Sequence, residues 1–584
     1  MKINYLYTAH QFTETEMAPG YIYADEYIEP KIVIWFVQAP FSLDINGDFY
    51  TDMIIPMSRG YASGIDTRTS FLAFKNENGI LSFSKELNDQ MPVTAGARRA
   101  VPVTLKTNGV ESYITVNHDT GDGNGADLIH ISQIDSNGSI RPNLIPALPY
   151  SENKRVSFVD SHALASGDIN GDGLTDILVG HWRNDGAYAL IQKDNGTFEV
   201  EKNNFYKNIT FNWPMLNKSA GYGANFLIDL HISDINNDGY GDIIAGWGGG
   251  STSSQVFINR EGIYSVDYSK ALPNSIYGTD NQQHLKTFSY DFDRDGDQDL
   301  VILWSRLNPY YGGHYLQYLK NDGLGNFVDE TTLVFSAPYK DAFLGRLQWS
   351  DYWQLLDVNN DSVMDIVGVR AASGSDTSQK NGLIYINDGY GNFTEFEFIA
   401  PTDFVSSIIQ WGDLNKNGKL DFLTFESTYY NSNGIKSDNF FNVYEIDMAF
   451  PKLCISNDIE GIAGKAYRLY KAAFDRKPDL KGLGYWIHEM DNGAELTGVA
   501  SGFISSAEFQ SRYGTTSDTD FIRLLYENVL DRRPDPDGYA YWQQAMENGM
   551  SRESLLTYFS ESTENKSNVA GLIANGIEYT SFIS

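Results

Sequence analysis

The sequence predicts a mainly β chain that ends in an all-α domain. Three observations predict it: a nine-residue acidic loop recurs up to about residue 450, an extended apolar run follows each copy, and helical periodicity takes over near residue 455. A 14% aromatic share beside 53 glycines fits many short strands joined by glycine turns.

The loop is seen first in "DINGDGLTD", which begins at Asp168. It recurs as "DINGDFYTD" at Asp44, "DINNDGYGD" at Asp234, "DFDRDGDQD" at Asp291, "DVNNDSVMD" at Asp357 and "DLNKNGKLD" at Asp413. Positions 1, 3, 5 and 9 carry oxygen ligands: Asp44, Asn46, Asp48 and Asp52; Asp168, Asn170, Asp172 and Asp176; Asp234, Asn236, Asp238 and Asp242; Asp291, Asp293, Asp295 and Asp299; Asp357, Asn359, Asp361 and Asp365; Asp413, Asn415, Asn417 and Asp421. A distorted copy, "DTGDGNGAD", offers Asp119, Asp122, Asn124 and Asp127 from shifted places. Asn417 removes a charge and Ser362 removes the turn glycine, so those two loops are expected to bind more weakly.

An EF-hand would need a bidentate Glu at position 12. That position holds Ile55, His130, Val179, Ala245, Ile302, Gly368 and Thr424, while position 9 is always Asp. The ninth residue therefore closes the loop just as a strand such as "DILVG" or "DIIAG" begins. Hard oxygen ligands without Cys or His favour calcium or magnesium, and calcium's flexible shell of six to eight oxygens suits this spacing. The competing reading is an Asx-rich turn that needs no metal. Loop starts lie 75, 49, 66, 57, 66 and 56 residues apart, room for four strands each.

These loops, with turns such as "NDGLGNF" and "NDGYGNF", resemble the FG-GAP/VCBS repeats of the integrin α-subunit head and of bacterial surface proteins. The resemblance implies a seven-bladed calcium-binding β-propeller over residues 1–453, holding up to about seven ions between the first two strands of each blade.

Residues 454–584 read as helices. "DRKPDLKGLGYW" returns as "DRRPDPDGYAYW", and Tyr470, Asp475, Arg476, Pro478, Gly482 and Trp486 match Tyr526, Asp531, Arg532, Pro534, Gly538 and Trp542 at an offset of 56. The matched aromatics are expected in the core, and Asp535 and Asp537 beside Gly538 as helix-capping residues, the alternative being a metal site. This part resembles the bacterial domain of unknown function 4214, often found with secreted calcium-binding proteins, which implies export.

The formal net charge of −33 disfavours nucleic acid and anionic membrane as partners. The N-terminus lacks an apolar signal-peptide core, and no run is long enough to span a bilayer, so an extracellular or cell-surface location by type I secretion is expected. The lone Cys454 permits no intramolecular disulfide and is expected to be an inert thiol.

Catalytic motifs are missing: there is no G-x-S-x-G, H-E-x-x-H or P-loop. Five residues after each ninth-position Asp stand Met57, Ser132, His181, Trp247, Trp304, Arg370 and Glu426, with Trp182 adjacent. His181, Trp182, Trp247, Trp304 and Arg370 are candidate ligand-binding residues around a central axis; the alternative is packing between blades. His162, His231 and His284 are expected in strands, satisfied in the core. The leading expectation is a non-catalytic, calcium-stabilised scaffold for adhesion or for binding an extracellular glycan or protein. A lectin, or a polysaccharide lyase using His181 and Arg370, are the alternatives.

Overall fold

The computed structural model describes residues 1–12, 36–37, 40–58, 71–91, 97–106, 111–117, 129–134, 140–145, 163–180, 187–201, 226–248, 253–308, 312–336, 339–340, 352–369, 382–399, 405–427, 439–514 and 516–583. The chain is mainly β, with a helical C-terminal region. It divides into one unit of residues 1–358 and 364–448, and a second of residues 359–363 and 449–584. The division falls at 448/449, five residues before the expected boundary, because strand Leu453–Ser456 pairs with the C-terminal strand Ile577–Thr580.

The first unit is built of antiparallel meanders, lettered A to G in chain order of their acidic loops. Sheet A comprises Phe41–Leu43, Asp52–Ser58, Phe71–Glu77 and Ile80–Phe83, with Phe36–Val37 alongside the second strand. Sheet B comprises Ala97–Thr104, Glu111–Asn117, Ile129–Ile134 and Ile140–Ile145. Sheet C comprises Leu164–Gly167, Asp176–Gly180, Ala187–Gln192 and Phe198–Glu201. Sheet D is Phe226–Ser233, Asp242–Gly248, Gln255–Arg260 and Ile263–Ala271, and sheet E is Gln282–Tyr290, Asp299–Arg306, Gly312–Asn321 and Phe327–Asp329. A single pair, Gly248 with Gln283, joins D to E. Sheet F is Gln354–Leu356, Asp365–Val369, Gly382–Asn387 and Phe393–Phe398. Sheet G takes Val405–Gly412, Asp421–Ser427 and Asn439–Asp447, and its fourth strand is Lys2–Phe12 from the other end of the chain.

Three second strands are buried along their whole length: "DILVG", "DIIAGWG" and "DIVGV" expose no residue. A continuous apolar run is what a strand covered on both faces requires. The cover comes from neighbouring sheets. One core joins A and G through Met53, Phe74, Leu414 and Phe441, and another joins B and C through Val103, Leu105, Ile177 and Leu190. Further cores join C to D, D to E, and E to F. Between F and G, Gln354 Oε1 accepts the Trp411 N–H at 2.9 Å, and Phe398 packs on Trp411.

The second unit holds α1 (Ile462–Phe474), α2 (Leu480–Asp491), α3 (Leu496–Ser505), α4 (Ala507–Tyr513), α5 (Asp518–Val529), α6 (Pro536–Glu547), α7 (Arg552–Ser560) and α8 (Thr563–Val569). One core, including Tyr470, Phe503, Tyr526 and Phe559, draws on both repeats. Asp479 and Asp535 cap α2 and α6 by accepting the N–H of Gly482 and Gly538 at 2.7 and 2.8 Å. Cys454 lies on the short sheet opposite Tyr579, and burial raises its thiol pKa, consistent with an unreactive side chain.

Candidate metal loops

The six regular acidic loops share one place in the fold, the connection from first to second strand. The register is the same in each: the ninth residue pairs with the residue preceding the first. Asp52 faces Leu43, Asp176 faces Gly167, Asp242 faces Ser233, Asp299 faces Tyr290, Asp365 faces Leu356 and Asp421 faces Gly412. The ladder thus fixes both ends of every loop.

In the loops of sheets A, C, D, E and G the first carboxylate organises the turn. Asp168 Oδ1 accepts the N–H of Gly171 at 2.7 Å and of Asp172 at 3.2 Å, and its Oδ2 accepts Gly173 N–H at 2.7 Å. Asp44 does the same with Gly47, Asp48 and Phe49. The fifth side chain accepts the N–H of the seventh residue, as Asp48 from Tyr50 and Asp238 from Tyr240. To converge these groups the backbone turns left-handed at positions 4 and 6. Gly171 and Gly173 stand at φ 77 and 79°. Phe49 at 70° and Ser362 at 66° occupy the same turn without glycine's freedom. Phe49 is thus a departure of the same kind as Ser362.

The ninth Asp is fully buried in all six loops. In five of them one oxygen accepts the N–H of the second residue: Ile45, Ile169, Ile235, Val358 and Leu414, at 2.8 to 3.1 Å. The other oxygen reaches an Asn or Gln at the end of the third strand or one residue before it. Asn76, Gln192, Asn259, Asn321 and Asn387 donate backbone N–H to Asp52, Asp176, Asp242, Asp299 and Asp365 at 2.6 to 2.9 Å. Burial, offset in part by these bonds, pushes Asp52 and Asp299 up to about 6, and Asp176, Asp242 and Asp421 up to about 7. A buried carboxylate kept ionised calls for a nearby cation.

The same third-strand amides tie sheet to sheet. Asn259 Nδ2 donates to Ile169 O at 2.7 Å, Asn321 to Ile235 O at 2.7 Å and Asn387 to Phe292 O at 3.0 Å. Each acceptor is the second residue of the preceding sheet's acidic loop. Asn76 donates to Leu414 O at 2.8 Å, linking the first sheet to the last. Sequence reading placed Asn321 and Asn387 in turns and did not single out Asn76, Gln192 or Asn259; the available signal was an Asn or Gln shortly before each turn.

Sheet B departs from the pattern. Its connection from first to second strand is residues 105–110, "LKTNGV", which holds no carboxylate. Gln192 still reaches it, donating to Thr104 O at 3.0 Å and accepting Lys106 N–H at 2.9 Å. The distorted copy falls between the second and third strands instead, and Asp119, Asp122, Asn124 and Asp127 lie outside the described residues.

The donor sets fit a hard cation. Asn46, Asn170, Asn236 and Asn359 each donate Nδ2 to the fifth-position carboxylate at 2.9 to 3.1 Å, which leaves their Oδ1 facing the loop. The Oδ1 atoms of Asn236 and Asn359 are buried without a hydrogen-bond partner. Among the described residues, Asp291, Asp293 and Asp295 also form a three-carboxylate cluster. Within the second unit, Asp361 accepts the Leu453 N–H at 2.7 Å.

The expected ligand ring fares differently. His181, Trp182 and Arg370 lie outside the described residues. Trp247 and Trp304, expected as ligand platforms, are packing residues. Trp247 belongs to the core joining C and D, and Trp304 to the core joining D and E, where it is 0% exposed. Trp304 Nε1 donates to Gln317 Oε1 at 2.8 Å, and its ring lies 4.7 Å from that of His284. The sixth residue of these strands, which are covered on both faces, meets the neighbouring sheet, not solvent. His284 is a satisfied core residue. Its Nδ1 lies 2.9 Å from Ser254 Oγ and its Nε2 lies 2.6 Å from Thr287 Oγ1, so both ring nitrogens have hydrogen-bond partners. His231 bonds Ser289 Oγ at 2.7 Å, and burial lowers its pKa. His162 lies outside the described residues.

No helix among the described residues is long and apolar enough to cross a membrane. No curated protein matches the chain. Solved structures resembling it include an Agrocybe aegerita lectin that recognises non-reducing terminal N-acetylglucosamine, 16% identical over 62% of this chain and 80% of that one, with a TM-score of 0.36. The rhamnogalacturonan lyase YesW is 11% identical over 75% of each chain, with a TM-score of 0.35. The periplasmic gluconolactonase PpgL of Pseudomonas aeruginosa is 10% identical over 65% of this chain and 96% of that one, with a TM-score of 0.34. At such scores no argument rests on these likenesses. Family models match two segments: residues 357–424 match an FG-GAP-like repeat, and residues 500–569 match domain of unknown function 4214. The chain thus joins an FG-GAP-like repeat region to a C-terminal domain of the unknown-function 4214 kind.

Proposed function

We propose that sheets A to G close into a seven-bladed propeller whose acidic loops hold calcium, and that this propeller is a non-catalytic scaffold displayed outside the cell for adhesion or for binding a glycan or protein. The observation that carries the reading is the shared loop geometry: six acidic loops at one topological place, with a common register. Closure is supported by the A-to-G core, by the Asn76 bond to Leu414 O and by the N-terminal strand completing sheet G. Calcium would be held by the residues at positions 1, 3, 5 and 9; when bound, it would neutralise carboxylates that burial otherwise disfavours. The export route proposed is type I secretion.

The test is thermal unfolding with and without chelator. Calcium that binds only the folded state stabilises it by RT ln(1 + [L]/Kd), about 2.7 kcal/mol per site at a hundredfold excess over Kd. Chelation is expected to lower Tm sharply, and calcium to restore it; an unchanged melting curve rejects the reading. Calcium titration tests the location. Dissociation constants near 10⁻⁴ to 10⁻³ M, roughly the range of extracellular modules, are expected. Submicromolar values would argue against an extracellular setting.

A further inference from the structure

The loop of sheet E differs from the other five regular loops in what fills it. Its third residue is a carboxylate, Asp293, where the others carry Asn. The Asn amide that elsewhere bridges to position 5 is therefore missing. The Lys320 ammonium takes that place: it bonds the Asp293 carboxylate and lies 2.9 Å from Asp295 Oδ2. Asp293 Oδ1, the remaining oxygen, is buried without a hydrogen-bond partner. The ninth residue differs too, because Tyr318 Oη donates to Asp299 Oδ2 at 2.7 Å, the oxygen that elsewhere accepts the second residue's N–H.

Lys320 directly precedes the sheet-linking Asn321. The residues in that place on the other sheets are Lys75, Ile191, Ile258 and Ile386, and Lys75 pairs with Glu77 at 2.8 Å. Among these, only Lys320 enters a loop. The charge count explains the arrangement. Loop C carries three carboxylates, Asp168, Asp172 and Asp176, and no cation, whereas loop E carries five, Asp291, Asp293, Asp295, Asp297 and Asp299, and one cation, Arg294, which leaves it one negative charge more. Lys320 cancels that extra charge from within the fold.

We infer that Lys320 is the resident cation of loop E, so that this loop stays folded without a divalent ion and takes one only when Lys320 withdraws. The oxygens that Lys320 occupies are ones a bound ion would need, and two cations cannot share them. The inference rests on the calcium reading for the other loops.

The experiment counts bound calcium by equilibrium dialysis on the full chain, and follows hydrogen exchange in chelator. Lys320→Met and Lys320→Gln should each bind one ion more than the wild type, while Lys75→Met binds the same number. In chelator, wild-type amides of residues 291–299 should exchange more slowly than those of 168–176 and 234–242, and both Lys320 variants should lose that protection. An unchanged ion count in both Lys320 variants, or a loop E that exchanges as fast as its counterparts, overturns the inference. A wild type that binds no calcium at all removes the calcium reading instead; Lys320 is then judged on loop exchange alone, which needs no ion.

Discussion

The β repeats and the helical repeats solve repetition in opposite ways. Among the sheets, each unit is fastened by its neighbour: an Asn near the end of one third strand bonds the loop of the sheet before it. In the helical unit each repeat closes its own fork. Arg476 makes two bonds to Glu508, at 3.0 and 2.9 Å, and Arg532 makes the matching pair to Glu564, at 2.6 and 3.0 Å. Asp475 and Asp531 both take the left-handed cap that ends the preceding helix, at φ 46 and 53°. Yet equal bonds do not mean equal burial. Helix α2 buries Leu480, Leu483, Ile487 and Met490, whereas α6 fully buries none of its residues. A local motif can repeat faithfully while its packing does not.

The largest single-site effect should fall in the helical unit at a residue outside the repeat. Arg468 is 1% exposed, bonds Glu561 at 2.7 and 2.8 Å and donates to Ile459 O at 2.7 Å. Arg468→Ala should cost about 3–5 kcal/mol by breaking this largely buried pair. Denaturant unfolding read in the helical unit checks it, and protection among the sheets should be unchanged.

Asn259→Ala should cost about 2–3 kcal/mol, because it removes the short hydrogen bond to Ile169 O and one of the two donors to Gly241 O, the other being Tyr264 Oη. Hydrogen exchange should show the loss in sheets C and D together. A loss confined to sheet D would break the idea that units are fastened by their neighbours.

Acid should separate the two regions. In chelator, Asp52, Asp176, Asp242, Asp299 and Asp421 titrate near 6 to 7 when folded, above the ordinary 3.8. The folded state then binds more protons, so their contribution is present below about pH 4 and is lost as pH rises through 6 to 7. In the helical unit, the forks from Arg476 and Arg532 hold Glu508 and Glu564 below the usual carboxylate value. Their contribution is present above about pH 4.5 and is lost as pH falls through the depressed values. Exchange corrected for its intrinsic pH dependence should therefore show opposite trends. Saturating calcium should abolish the trend in the sheets, since the ion selects the ionised carboxylates.

The smallest effect sharpens the reading of the loops. Phe49→Gly should stabilise the chain by about 1 kcal/mol, because an exposed phenylalanine at φ 70° carries a strain that glycine relieves. A lower Tm would mean that the ring's contact with Lys416 outweighs the strain.

The sequence alone determined where the loops are, which residues form them and where helices replace strands. Loop ligands lie within nine residues of one another, and the helical motif returns at a constant offset, so both are written in local spacing. Sequence spacing also singled out Asp535 as a cap. It left Trp247 and Trp304 open between a ligand site and packing, since an aromatic at a fixed strand position reads alike whether it meets a ligand or another sheet. Only the tertiary structure decided that question, the role of the third-strand amides and the entry of Lys320 into one acidic loop. These depend on contacts between residues tens to hundreds of positions apart, set by how the sheets stack. Nothing in the spacing around Asp291 points to a lysine 27 residues beyond the loop's third residue, Asp293.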